Sequence, residues 1–207
     1  MESNQRKFIQ YVTGFAADHA VHIWLGGSFL NGNATPYSDV DISVCCAPDQ
    51  VKQLIYGYGQ PVFLSHTSNP PGILVVIYGD GVAVDLEIVE GVSVSETEFF
   101  HREDIKNTDF RRNESAFRDV VLRDDEPYQV SRLFHRSLIK YLSGKKETGI
   151  SVANEIAVYL HEEGIRSQID YKSRINKIFD FYSEKHPMEK GYMRVLRKLL
   201  IDVGREK

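Results

Sequence analysis

Four carboxylates of this chain stand inside apolar strand patterns. Asp39 and Asp41 are two residues apart in "DVDISVCC" (39–46), and Asp85 and Glu87 are two residues apart in "VAVDLEIV" (82–89). Side chains i and i+2 of a strand point the same way. Asp39 and Asp41 therefore share one face while Val40, Ile42 and Val44 take the other. Asp85 and Glu87 share a face opposite Val84, Leu86 and Ile88. If the two strands are neighbours, three or four carboxylates converge on one patch. Like charges that close disfavour joint ionisation, and divalent cations are the usual remedy. Hard oxygen donors suit Mg²⁺, which takes a few carboxylates plus substrate phosphates. Two such ions about 4 Å apart stabilise both oxygens of a phosphoryl displacement.

A second device precedes the first. The run "VHIWL" (21–25) enters Gly26-Gly27-Ser28, and ten residues separate Ser28 from Asp39. Glycines let backbone N–H groups and a hydroxyl come close to an anion, above all where a helix begins. The stretch "SFLNG" directly after the turn reads as that short helix. A lone Asp-x-Asp is common in surface strands. A phosphate grip, an acidic pair at fixed distance and a third carboxylate on a later strand together make parts of one reaction.

The elements that must position these residues alternate over the first 90 positions. Phe8, Tyr11, Val12 and Phe15 have helical spacing in 3–19, with Ser3 as a cap. Strands are expected at 21–25, 39–46 and 61–66, and a helix opened by Pro48 runs to Tyr58. The segment 73–89 is a hairpin around Gly79-Asp80-Gly81. Residues 93–126 are polar and mixed, with a further strand expected at "DVVLRDD" (119–125). From Pro127 the pattern is helical. Four apolar stripes, begun by Val130, Val152, Ile175 and Tyr192, are punctuated by Gly144, Gly164 and Pro187 and read as an antiparallel bundle. The expected fold is α/β, with a core over 1–126 whose sheet is mixed, followed by a helical domain over 127–207.

Bulk properties narrow the classes. The chain has 207 residues, 42% hydrophobic and 26% charged, as in a globular protein. No apolar run approaches the roughly 18 residues of a membrane span, and "MESNQRKFIQ" lacks a signal-peptide layout. The only cysteines, Cys45 and Cys46, are adjacent and suit neither a disulfide framework nor a metal knuckle. A reduced, cytoplasmic setting is expected. The net charge of −4 splits into −10 over 1–126 and +6 over 127–207. Such halves would suit a cleft with metal on one wall and phosphate on the other, or the basic half is an ordinary Lys-rich helical surface. Overall acidity argues against a dedicated nucleic-acid binder.

The sequence of features, an apolar strand, Gly26-Gly27-Ser28, Asp39-x-Asp41 and a strand bearing Asp85, resembles the polymerase-β-like nucleotidyltransferase superfamily. With its C-terminal helices, the chain is most similar to the bacterial antibiotic nucleotidyltransferases that act on aminoglycosides or lincosamides. The resemblance covers residues 21–89. It implies that Gly26, Gly27 and Ser28 hold a nucleoside triphosphate, with ATP as the expected donor. It implies that Asp39, Asp41 and Asp85 ligate Mg²⁺, two ions in all, and that Asp85 or Glu87 serves as base. The acceptor would be a hydroxyl of a small molecule bound by the helical domain. Many relatives carry an Arg three residues after the serine; this chain has Asn31 there.

Other residues stand in two readings. Tyr37 and Ser38, in the loop ahead of the carboxylates, are candidate nucleotide contacts, with Trp24 a core residue. Arg132, Arg136 and Lys140 line one helical face and would meet the triphosphate, or form a solvated basic stripe. Glu155, Glu162 and Glu163, read on the second helix of the bundle, would offer a base for the acceptor or simply face water. Cys45 reads as a small buried filler, and Arg111-Arg112 as loop charge. His135 and His161 lack ligand-like spacing. Two further functions fit the core motif: a protein-modifying or antitoxin-like nucleotidyltransferase, and a degenerate nucleotide binder.

Overall fold

The computed structural model describes residues 3–90, 99–101 and 111–206. The polar segment expected between 93 and 126 therefore lies partly outside the described residues. The chain divides into two compact units, 1–123 and 124–207.

In the first unit the helices are α1 (Asn4–His19), α2 (Gly27–Leu30) and α3 (Pro48–Tyr58). The strands are β1 (His22–Leu25), β2 (Val40–Cys45), β3 (Pro61–Ser68), β4 (Pro71–Tyr78), β5 (Ala83–Glu90), β6 (Phe99–His101) and β7 (Arg111–Arg112). The sheet is mixed, as expected, in the order β3-β4-β5-β2-β1-β6, with β7 antiparallel to the end of β5. Strands β2 and β5 are parallel, whereas β1–β2, β3–β4 and β4–β5 are antiparallel. The β4–β5 hairpin closes at Gly81, where φ is +91° and the N–H donates to Tyr78 O at 3.0 Å.

One face of this sheet carries the main core. Ile23, Val40, Ile42, Val44, Leu74, Val76, Val84, Leu86 and Ile88 meet Phe8, Val12 and Phe15 of α1 and Val51, Leu54 and Ile55 of α3. Ser3 caps α1 by accepting from the Arg6 N–H. Burying one such aliphatic side chain contributes about 1.5–3 kcal/mol, so the alternation in β2 and β5 is driven from this face. The acidic residues are carried to the opposite face as a consequence.

The strand expected at 119–125 does not form. Ala116–Asp119 is a 3₁₀ turn, and the Val120 and Val121 amides both donate to Phe117 O, at 2.9 and 2.8 Å. Val120 buries itself in the main core while Leu122 is 96% exposed. Two adjacent apolar residues here anchor a turn rather than extend a sheet. Arg111-Arg112, read from sequence as loop charge, forms β7 instead, with Arg112 opposite Val89.

The second unit consists of α4 (Glu126–Leu142), α5 (Lys146–Tyr159), α6 (Gln168–Lys185) and α7 (Lys190–Arg205). Helix α4 packs on α5 and α7, and α6 packs on both of those as well. The α4–α5 contact is close because Gly149 has no side chain. A Cβ there would stand 2.8 Å from Tyr141 Cβ and 2.9 Å from Ser137 O. Ser137 Oγ donates to or accepts from Tyr171 and bonds Gly149 O at 2.8 Å, and the Tyr141 and Tyr171 rings stack 4.2 Å apart. Helix α5 ends earlier than the expected Gly164. His161 takes the left-handed conformation (φ +56°), and the Glu162 N–H reaches back to Ala157 O at 2.8 Å. That wrap-back satisfies the last carbonyls of the helix. Among the described residues no helix is long and apolar enough to cross a membrane.

Candidate active site

Backbone pairing assembles the acidic patch. In the β2–β5 ladder Asp41 is the register partner of Asp85, and Ser43 that of Glu87. Neighbouring strands lie about 4.8 Å apart, so the Asp41 and Asp85 carboxylates are carried side by side on the face away from the main core. Both are only partly buried. Asp39 precedes β2 on the same alternation and is also partly buried.

The glycine turn is built against the same carboxylate. Gly26 is extended (φ −130°) and its N–H donates to Asp41 O at 2.8 Å. Gly27 then takes φ +62° and opens α2, whose single turn closes through Asn31 N–H to Gly27 O at 3.1 Å. Asp41 occupies the space where a Gly27 side chain would be: an added Cβ would lie 1.7 Å from Asp41 Oδ2. Glycine is required here twice, by the positive φ and by the carboxylate. Ser28 Oγ is buried and has no hydrogen-bond partner among the described residues. A buried hydroxyl left so costs free energy, and an anion's oxygen would satisfy it.

The loop between the turn and the carboxylates is folded by its own side chains. Ser38 Oγ accepts the Thr35 N–H at 2.9 Å, Thr35 Oγ1 accepts the Tyr37 N–H at 3.2 Å, and Gln5 Nε2 of α1 donates to Pro36 O at 2.8 Å. Ser38 thus has a local structural part, and Tyr37 is half-buried beside it. Trp24 is fully buried, as a core residue should be.

Glu87 is placed differently from the aspartates. It is 5% exposed, it accepts from Ser43 Oγ at 2.9 Å, and it forms an ion pair with Arg112 Nη2. Arg112 had no functional reading in the sequence. The only signal for it was a basic residue following a polar stretch, which says nothing about a partner 25 positions earlier.

The remaining candidates scatter. Cys45 is half-buried, not the filler expected, because it lies at the end of β2 opposite His22 at the sheet's margin. Burial pushes the neighbouring Cys46 thiol up to about 12, which keeps it protonated at neutral pH. In the second unit Arg132 is 9% exposed on α4, whereas Arg136 is exposed and Lys140 half-buried. Those three are therefore no uniform solvated stripe. Glu155 is exposed on α5. Glu162 and Glu163 are not on that helix, since His161 has already turned the chain away. They line a cavity of about 490 Å³ with Gly164, Arg166, Asp170 and Arg174. Arg174 is committed there to the carbonyls of Glu163 and Gly164, at 2.6 and 2.9 Å. His135 is buried and His161 exposed.

Among the described residues, no three His, Cys, Asp or Glu side chains gather as a closed metal-ligand set. Asp39, Asp41 and Asp85 nevertheless have the donor chemistry that Mg²⁺ takes, with the rest of its shell drawn from water and phosphate oxygens.

Comparison with known proteins bears on the same residues. Residues 14–90, rather more than a third of the chain, match the family model for the nucleotidyltransferase domain. The matched segment runs from the end of α1 through β5 and contains Gly26, Gly27, Ser28, Asp39, Asp41, Asp85 and Glu87. Nucleotidyl transfer in general, from a nucleoside triphosphate, is the chemistry that this domain supports. No curated protein matches the chain.

Proposed function

We propose that the protein transfers a nucleoside monophosphate, AMP from ATP in the first instance, to a hydroxyl of a small molecule. The observation that carries this reading is the register pairing of Asp41 with Asp85, with the Asp41 carboxylate seated over Gly27. Gly27 and the buried Ser28 hydroxyl bind the triphosphate, the hydroxyl offering a phosphate oxygen a donor that no described residue engages. Asp39, Asp41 and Asp85 would hold Mg²⁺, which supplies charge neutralisation at the transferred phosphoryl group and the departing pyrophosphate. Asp85 accepts the proton of the acceptor hydroxyl as its oxygen bonds to the α-phosphorus. The bond from that phosphorus to the bridging oxygen breaks, and pyrophosphate leaves. Asp85 suits the role better than Glu87, whose oxygens are already engaged by Ser43 and Arg112. Positioning and electrostatics supply most of the rate in such transfers.

The helical unit is assigned acceptor recognition. Antibiotics with several hydroxyls, aminoglycosides and lincosamides, are the first acceptors to try, on the resemblance stated above. A protein-modifying enzyme of the same chemistry would place label on polypeptide instead. Incubating the protein with α-³²P-labelled ATP, GTP, CTP or UTP, Mg²⁺ and an acceptor panel separates these readings. Label on a small molecule, abolished by Asp41→Asn, supports the proposal. Label confined to protein, or identical traces from wild type and Asp41→Asn, defeats it.

A further inference from the structure

The proposed reaction leaves a buried ion pair unexplained. Glu87 and Arg112 lie on the acidic face, one layer along the strands from Asp41 and Asp85. Glu87 follows Asp85 by two residues, about 7 Å along the strand, and is paired in register with Ser43, the residue two beyond Asp41. Arg112 reaches it from β7, opposite Val89, again on the same face. The Glu87 side chain is 7% exposed and that of Arg112 22%. The pair therefore lies where solvent screens charges poorly.

We infer that the Glu87–Arg112 pair balances charge beside the metal-binding carboxylates. Arg112 neutralises Glu87, and Glu87 in turn keeps the Arg112 charge from repelling cations bound one layer away. The inference rests on the metal-binding reading of Asp39, Asp41 and Asp85. Neither side chain touches the substrate. Arg112 fixes Glu87 and ties β7 to β5, while the Ser43 hydroxyl holds the other Glu87 oxygen. Removing one charge of the pair leaves the other acting across about 7 Å in a medium of intermediate dielectric, enough to change divalent-cation affinity at least about tenfold.

That arrangement predicts an asymmetry that simple structural damage would not produce. Glu87→Gln leaves a lone cation beside the site and weakens Mn²⁺ binding at least about tenfold. Arg112→Gln leaves an anion and binds Mn²⁺ no more weakly than wild type. In Glu87→Gln with Arg112→Gln both charges are gone, and affinity returns to within about threefold of wild type.

Mn²⁺ titration followed by electron paramagnetic resonance, without nucleotide or acceptor, measures this on the full chain. Circular dichroism and thermal melts establish that each variant is folded. Should Glu87→Gln fail to fold, the Arg112→Gln and double variants still decide the matter, since equal and marked weakening in both overturns the inference. So does a Glu87→Gln affinity equal to wild type. A double variant as weak as Glu87→Gln would make Glu87 a ligand in its own right and overturn it too. If wild type itself binds no Mn²⁺, the metal reading of the carboxylates falls and takes this inference with it. If wild type binds and the asymmetry is missing, this inference alone falls.

Discussion

The Asp41 carboxylate stands over Gly27, with its Oδ2 1.7 Å from the position that a Gly27 Cβ would occupy. The glycine turn and the acidic strand are thus one construction. A side chain at 27 would push aside the carboxylate that the Gly26 N–H to Asp41 O bond has brought there.

Gly27→Ala should therefore cost activity out of proportion to stability. Left-handed backbone at a non-glycine residue costs about 1–2 kcal/mol, and the clash displaces Asp41 besides. Nucleotidyl transfer is expected to fall at least 100-fold while a cooperative melt persists at lower temperature. Near-normal turnover by Gly27→Ala would contradict the packing described.

Asp85→Asn should separate function from stability in the opposite sense. Like charges directly opposite on neighbouring strands destabilise a sheet by about 0.2–1 kcal/mol. Neutralising one should leave the apo melting temperature unchanged or a few degrees higher. Loss of a proton acceptor in the transition state removes about 10²–10⁴ in rate. Calorimetry beside a transfer assay checks both halves, and a marked fall in melting temperature would count against the repulsion argument.

Arg112→Ala is expected to be among the costlier single changes in the first unit. It strips one charged partner from a side chain that is 7% exposed, and breaking a buried ion pair costs about 3–5 kcal/mol. Combining it with Glu87→Gln should recover a large part of that loss. Urea denaturation of the two singles and the double gives the coupling energy, and strict additivity would show that the pair contributes nothing.

Gly149→Ala tests the helical unit. Helix propensity alone favours alanine by about 1 kcal/mol, but overpacking against Tyr141 and Ser137 costs about 1–3 kcal/mol. A net loss of stability is expected, read from thermal melts. A rise would mean that α4 and α5 can separate without penalty.

Alkaline pH should unfold the protein through its tyrosines. Burial raises the hydroxyls of Tyr78, Tyr171 and Tyr192 above their ordinary range. A raised folded-state pKa leaves stability intact below the unfolded value of about 10 and removes it as pH climbs above that. Absorbance titration at 295 nm should find fewer than the chain's 11 tyrosines ionised at pH 11 in the folded state than in guanidinium. Identical titration curves would contradict the burial.

Much of the first unit is legible in the sequence because its signals are local. The alternation of apolar and acidic residues in 39–46 and 82–89 marks which face is buried without any knowledge of neighbours. Pro48 opens α3 and Gly81 turns the β4–β5 hairpin through backbone preferences of single residues. The strand at 119–125 is misread because Val120 and Val121 carry strand propensity, while the actual structure is decided by a core that takes one of them into a turn. The end of α5 is misread for a similar reason: His161, not Gly164, adopts the left-handed position, and nothing in the type of residue announces it.

What the sequence by itself determines is a chemical inventory on fixed faces: Asp39 and Asp41 together, Asp85 and Glu87 together, a glycine turn before them. Tertiary structure decides which of these become neighbours. The parallel β2–β5 register sets Asp41 beside Asp85 and gives Glu87 to Ser43. Only the return of the chain as β7, across residues that carry no periodic pattern, brings Arg112 to Glu87. Alternation is a property of one strand, whereas register and ion pairing depend on where distant segments meet. The missing cation at Asn31 is thus visible in the sequence, and the partly buried cation one layer along the strands from the aspartates is not.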